Sequence, residues 1–189
     1  MRNPYRYPVG AHLATGRPSI FWRDPLIFLT VGTQLPFDRL VRAVDEMAPL
    51  LGHRVFAQIG EGAKYVPRNL EYQATLDPTS FRQMAEGATL LLSHAGIGSI
   101  LTARKYRKQI VLFPRLARLG EHRNDHQLDT CKQMQSLDGV HVAHDESSLV
   151  ALMSDSRLYT PPNDSFESPG KRNLESALSS FIHTGKIPS

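Results

Sequence analysis

Three short clusters in the chain combine small residues with side chains that can hydrogen-bond or take a proton. The first is His94-Ala95-Gly96-Ile97-Gly98-Ser99. Its glycines let the backbone turn sharply and approach a ligand closely. A helix opening just after them would offer free N–H groups to a phosphate. Ser99 adds a hydroxyl. The cluster falls short of GxGxxG, and the acid that binds ribose about 20 residues further on in dinucleotide folds is missing. Position 116 is leucine, with Glu121 the nearest acid, so a nicotinamide site is a weak reading. An ordinary strand-to-helix turn, with His94 as a structural histidine, stays open.

The second cluster is Gly32-Thr33-Gln34. It permits close backbone approach and supplies a hydroxyl, but it has no lysine and is not a Walker loop. Taken alone it reads as a plain turn. The third is Gly120-Glu121-His122-Arg123-Asn124-Asp125-His126-Gln127, eight residues with seven polar side chains. On a helix starting near Asn124, with Asn124 as its N-cap, residues 124, 127 and 128 share a face. Amide, imidazole and carboxylate groups together suit sugar hydroxyls and phosphate; a hydrated helix start is the alternative. His122 and His126 are four apart, but no further ligand is evident, and a structural zinc takes four. No metal is expected. Cys131 is the only cysteine, which excludes an intrachain disulfide and a four-cysteine zinc site. It falls mid-helix with no partner to activate it. GxSxG, HExxH and cysteine–histidine zinc patterns are absent.

These clusters need elements to position them, and the hydropathy pattern supplies those. Residues 26–31 form a continuous apolar run of strand length, as in strands buried on both faces. Apolar residues at 37, 40, 41, 44, 47, 48 and 51 then repeat at helical spacing. Strands are expected at 54–59, 70–74, 89–93, 109–113 and 140–143. Helices are expected at 78–86, 100–106, 124–137 and 146–153, with Asp77 capping the one at 78–86 and Pro78 in its first position. Residues 157–169 read as a linker and 171–182 as a terminal helix. Strand and helix alternate throughout, which implies α/β architecture with a doubly wound parallel sheet. Such sheets bind ligands at the carboxyl ends of their strands, beside a topological switch point. That directs attention to the loops at 32–36, 60–66, 94–99 and 114–127.

At 189 residues, 41% apolar and 21% charged, the chain fits one soluble globular domain, spanning 25–156 on this pattern. Residues 1–24, with Pro4, Pro8, Pro18, four arginines and scattered aromatics, read as an irregular arm that covers a surface. No apolar run approaches the roughly 18 residues that span a bilayer, and the first residues lack a signal core. A cytoplasmic location is expected. Between residues 103 and 132 eight Lys or Arg face three acids, a net +5 against +4 for the whole chain. The segment suits phosphates or anionic head groups, or is simply a solvated basic face. The aromatics are too scattered for a nucleic-acid platform, so no nucleic-acid partner is expected.

Four motifs in order carry a resemblance: Leu29-Thr30-Val31-Gly32-Thr33 with Phe37-Asp38-Arg39-Leu40; Gln58-Ile59-Gly60; Ser93-His94-Ala95-Gly96-Ile97-Gly98-Ser99-Ile100; and Asn124-Asp125-His126-Gln127. Over residues 26–155 the chain resembles the C-terminal, donor-binding half of family-28-type glycosyltransferases. It is similar to the small cytosolic subunits of two-chain UDP-sugar transferases, including bacterial exopolysaccharide transferase subunits. The resemblance implies a Rossmann-like half of a GT-B enzyme with a UDP-sugar as donor substrate and no separate cofactor. By position, Gly32 and Thr33 would line the diphosphate side. Gly96, Gly98 and Ser99 would present loop and helix start to phosphate. Asn124, Asp125 and Gln127 would meet sugar and phosphate. His94 would sit beside the diphosphate as the one local base candidate. The family's ribose-gripping Glu is Thr102 here, a weaker hydrogen-bonding partner.

The resemblance further implies a lipid-linked glycan acceptor and a membrane-anchored acceptor-binding subunit, which would draw this chain to the inner face of the membrane. Its product would enter polysaccharide biosynthesis. A nucleotide-binding regulatory or interaction subunit with no part in transfer is the alternative.

Overall fold

The computed structural model describes residues 25–162. The arm at 1–24 and the terminal helix expected at 171–182 lie outside the described residues. Six strands, β1 (Leu26–Thr30), β2 (Arg54–Gln58), β3 (Glu71–Gln73), β4 (Leu90–His94), β5 (Gln109–Phe113) and β6 (Val140–Val142), form one sheet. Their spatial order is β3-β2-β1-β4-β5-β6 and every pair is parallel. The chain leaves β1 towards one edge, returns after β3, and enters β4 on the other side of β1. The switch point therefore lies between β1 and β4.

Parallel strands need crossovers: α1 (Asp38–Met47), α2 (Pro78–Gly87), α3 (Ile97–Lys105) and α4 (His126–Met134) lie in four of them, a loop joins β2 to β3, and α5 (Glu146–Met153) follows β6. The helices cover both faces. Ile27, Leu29, Val55, Leu92 and Val111 pack against Leu40, Val41 and Val44 of α1 and Leu149 of α5. Phe28, Leu91, Ile110 and Leu112 point the other way, onto Ala85 of α2, Ile100 and Ala103 of α3, and Cys131 and Met134 of α4. Burial on both faces is why β1 and β5 read as unbroken apolar runs. It also makes Cys131 an inert core thiol, whose pKa burial pushes up to about 12.

Two helix starts differ from expectation. α3 begins at Ile97, not Ile100, so Gly98 and Ser99 belong to its first turn. α4 begins at His126 with Asp125, not Asn124, at the cap position. Asn124 therefore stands outside the helix and shares no helical face with Gln127. Past α5, a 3-10 turn at Ser156–Tyr159 puts Leu158 into the core, so packing continues into the stretch that reads as linker.

Candidate functional site

The site grows from the ends of β1 and β4. Thr30 donates its hydroxyl to Gln58 Oε1 (3.0 Å) and accepts from the Gly32 amide (3.2 Å). Gly32 has φ of +81°, which lets the chain fold back on that hydroxyl. Across the strand pair, Ser93 Oγ donates to the Thr30 carbonyl (2.7 Å). Its single proton is thus committed, and towards Ser99 Oγ (2.7 Å) and His94 Nδ1 (3.2 Å) it accepts. His94 consequently carries its proton on Nδ1 and its lone pair on Nε2.

Two glycines clasp the His94 ring. A Cβ on Gly32 would lie 2.9 Å from Cε1, and one on Gly96 would overlap Nε2. Burial is the main reason the His94 pKa falls to about 4, with the Arg115 charge adding to it. The imidazole is neutral at pH 7 and a weak proton acceptor.

Beside this clasp the first turn of α3 opens, with Gly96 as N-cap and no side chain capping it. The Ser99 amide donates to the Gly96 carbonyl (3.1 Å), which leaves the amides of Ile97 and Gly98 as the leading N–H groups with no intrahelical partner. They and the β1 turn border a cleft of about 510 Å³, within the range of small-molecule sites. Of the sequence-derived candidates, Gly32, Thr33, His94, Gly98, Ser99, Thr102 and Gln127 line it. Gly96 sits behind His94. Asn124 and Asp125 do not reach the lining: Asp125 Oδ1 accepts from the Ala117 amide (2.9 Å) and Asn124 Oδ1 pairs with His122 Nδ1 (3.0 Å). Both shape the loop that follows β5. Thr102 already donates to the Gly98 carbonyl (2.8 Å). Gln127 is a buried clamp, its Oε1 accepting from the amides of Ala95 (3.2 Å) and Arg115 (3.0 Å), which ties the β4 loop to the β5 loop.

Sequence reasoning gives some members no individual role, although Gln58 stands in one of the family motifs and His122 in the third polar cluster. Gln58, Phe81 and His122 line the cleft. The His122 Nδ1 lies near the Asn124 backbone carbonyl (3.2 Å), an acceptor that requires Nδ1–H and leaves the lone pair on Nε2. The loop carrying His122 is held by Glu121, which accepts two bonds from Arg39 (2.6 and 2.9 Å) and one from the Leu116 amide (2.9 Å). The 60–66 loop, expected at the site, is instead drawn onto α1: Asp38 accepts from the Lys64 amide (3.1 Å) and buried Asp45 from Tyr65 Oη (2.8 Å). Nor do the basic residues act together. Arg104, Lys105, Arg107 and Lys108 follow α3 down to the opposite edge, just before β5. Of the eight Lys and Arg between residues 103 and 132, only Arg115 lines the cleft. Among the described residues no group of three or more His, Cys, Asp or Glu comes together as metal ligands, and no helix is long and apolar enough to cross a membrane.

This cleft at the switch point stands at the centre of the region that matches a known family. Residues 26–167 match the glycosyltransferase family 28 C-terminal domain. The chain belongs to that family. Solved structures share the fold. The NMR solution structure of ALG13 superposes with a TM-score of 0.56 at 19% identity, covering 80% of this chain and 94% of that one. The glycosyltransferase SnogD from Streptomyces nogalater gives 0.52 at 19% identity, over 81% of this chain and 41% of that one. A UDP-glucose:anthocyanidin 3-O-glucosyltransferase solved in complex with UDP gives 0.55 at 11% identity, over 80% and 36%. The chain thus spans about two fifths of the larger enzymes it matches and nearly all of ALG13. No curated protein sequence matches closely. The sheet is therefore that of a GT-B half-domain, and the family 28 domain belongs to glycosyltransferases.

Proposed function

We propose that this family 28 domain binds a UDP-sugar and is the donor half of a two-component glycosyltransferase. The observation that carries the reading is the cleft between β1 and β4, where a positive-φ glycine turn and an uncapped glycine-led helix meet. Outward amides and a helix dipole suit a diphosphate. They would steady the departing diphosphate as its bond to the sugar's anomeric carbon breaks and the acceptor hydroxyl oxygen bonds to that carbon. In this reading Gly32, Thr33, Gly98 and Ser99 meet the diphosphate and Thr102 the ribose. Gln127 holds the two loops in register, and Asn124 and Asp125 act through the β5 loop. Gly96 and His94 form the wall beside the diphosphate. With its pKa near 4, His94 is poorly matched to deprotonate an acceptor hydroxyl, because a general base works best with a pKa near the working pH. The stronger base then comes from the partner chain.

That partner is a membrane-anchored, acceptor-binding subunit. It holds a lipid-linked glycan at the cytoplasmic face, and the product feeds polysaccharide biosynthesis. A thermal-shift panel tests the donor: UDP and UDP-sugars raise the melting temperature, GDP and TDP do so less, and Ser99→Ala removes most of the shift. Indifference to every nucleotide would end the reading. The isolated chain binds UDP-sugar but transfers slowly, and co-expression of the acceptor subunit restores transfer of radiolabelled sugar. Binding without transfer in the assembled pair would favour a regulatory subunit.

A further inference from the structure

Among the described residues, Arg115 is the one Lys, Arg, Asp or Glu that lines the cleft. It follows β5 and is only 3% exposed. Its Nη2 donates to the carbonyls of Val31 (3.0 Å) and Leu35 (2.6 Å), with a longer contact to Pro36 (3.5 Å). The guanidinium lies 4.9 Å from the centre of the Phe37 ring, and Nε is buried with no partner. Among the described residues no carboxylate pairs with it. Glu121, the acid whose charge it feels, is already engaged by both ends of Arg39. Burial draws the Arg115 pKa down to about 10, which leaves it protonated at pH 7. His94 and His122 are the other titratable groups of the lining, and His94 is neutral.

A desolvated cation without a counter-ion is costly, and natural interiors rarely keep one unless something neutralises it. We propose that Arg115 is the counter-charge of this cleft, a buried guanidinium kept for the anionic part of a ligand, so that the site selects ligands by negative charge. Its nitrogens are enclosed, so it acts through its field beneath the cleft and through the Val31–Pro36 turn it holds. It is a positioning residue. The inference rests on reading the cleft as a UDP-sugar site and adds what sets its selectivity without a metal.

Calorimetric titration of the full chain with UDP, UMP and inorganic pyrophosphate tests it on wild type, Arg115→Gln and Arg115→Lys. Glutamine keeps donors for the loop carbonyls and removes the charge; lysine keeps the charge and loses the planar fork. Arg115→Gln weakens UDP and pyrophosphate by about tenfold or more and UMP by less, as expected when a buried positive charge beneath the diphosphate is removed. Arg115→Lys recovers most of that loss, and it carries the comparison with wild type should the glutamine variant not fold. Equal losses for UDP and UMP, in glutamine and lysine variants alike, would reduce Arg115 to loop packing. Undiminished UDP binding by Arg115→Gln would overturn the inference while the donor reading stands. Arg115-dependent binding of pyrophosphate without any binding of UDP would sink the donor reading and leave this one. Binding of none of the three by wild type would end both.

Discussion

At the carboxyl edge of the sheet, the two flanking helices close their own N-termini and the three central ones do not. After edge strand β3, Asp77 accepts from the amides of Thr79 (2.9 Å) and Ser80 (3.1 Å) to cap α2. After edge strand β6, Asp145 and Ser148 form a reciprocal capping box on α5. The helices that follow β1, β4 and β5 have Phe37, Gly96 and Asp125 at the cap, none of which caps with its own side chain; at α4 only a long contact from the His126 amide to Asn124 Oδ1 (3.5 Å) stands in. Asp125 could cap α4 but is turned to the Ala117 amide. An uncapped terminus normally costs stability. Of the three, α3 reaches the cleft through Gly98 and Ser99 and α4 through Gln127, which is physically consistent with a ligand supplying missing acceptors there. The flanks are built for stability and the centre for occupancy.

The sharpest way to break this contrast is Gly32→Ala. A methyl there meets His94 at 2.9 Å on a backbone at φ +81°. We expect loss of about 1–2 kcal/mol in stability and more than tenfold in UDP affinity, read by denaturant unfolding and calorimetry. Full UDP affinity in a folded variant would show that the clasp around His94 is not part of the site.

A second test uses pH. The folded His94 pKa of about 4 lies below its ordinary 6.5. Below pH 6.5 the unfolded chain takes up a proton that the folded chain refuses, so stability present above 6.5 is lost as pH falls towards 4. The cap carboxylates of Asp77 and Asp145 are held below their ordinary 3.8, so the flanks weaken only at lower pH. Burial also lowers the pKa of His53 and His141. The His94 share is therefore the difference between wild type and His94→Phe, whose unfolding free energy falls less between pH 6.5 and 4. Parallel profiles for the two proteins would contradict the assignment.

Much of this was legible in the sequence. Strands buried on both faces leave continuous apolar runs, so β1, β4 and β5 fall within a residue or so of expectation. Asp77 followed by Pro78 marks the start of α2 correctly. The ends of the central helices were harder, because Gly96-Ile97-Gly98-Ser99 has loop composition although three of its four residues are helical. Long-range partners leave no local signal. Nothing in the polar run at 120–127 marks Gln127 as the clamp between two loops, or Asp125 as bound to Ala117. Arg115 was visible as one of eight basic residues, but its separation from the others depends on α3 carrying four of them to the far edge.

Smaller effects sharpen the comparison from the flank side. Asp77→Ala lowers the melting temperature by several degrees and leaves UDP affinity as it was, by thermal shift and calorimetry. A matching loss of affinity would mean that flank and centre are not separate. Thr102→Ala changes UDP affinity by no more than about threefold, since a single neutral hydrogen bond contributes little net and this hydroxyl already serves Gly98. A much larger loss by calorimetry would make Thr102 the ribose anchor.

The most direct measurement is an amide-resolved NMR titration of the full chain with UDP. The amides of Gly32, Thr33, Ile97, Gly98 and Ser99 are predicted to shift together and saturably, while those of Thr79, Ser80 and Ser148, bound to their aspartate caps, stay in place. Saturable shifts centred on the capped helices, or none at the β1 and β4 turns, would contradict the account.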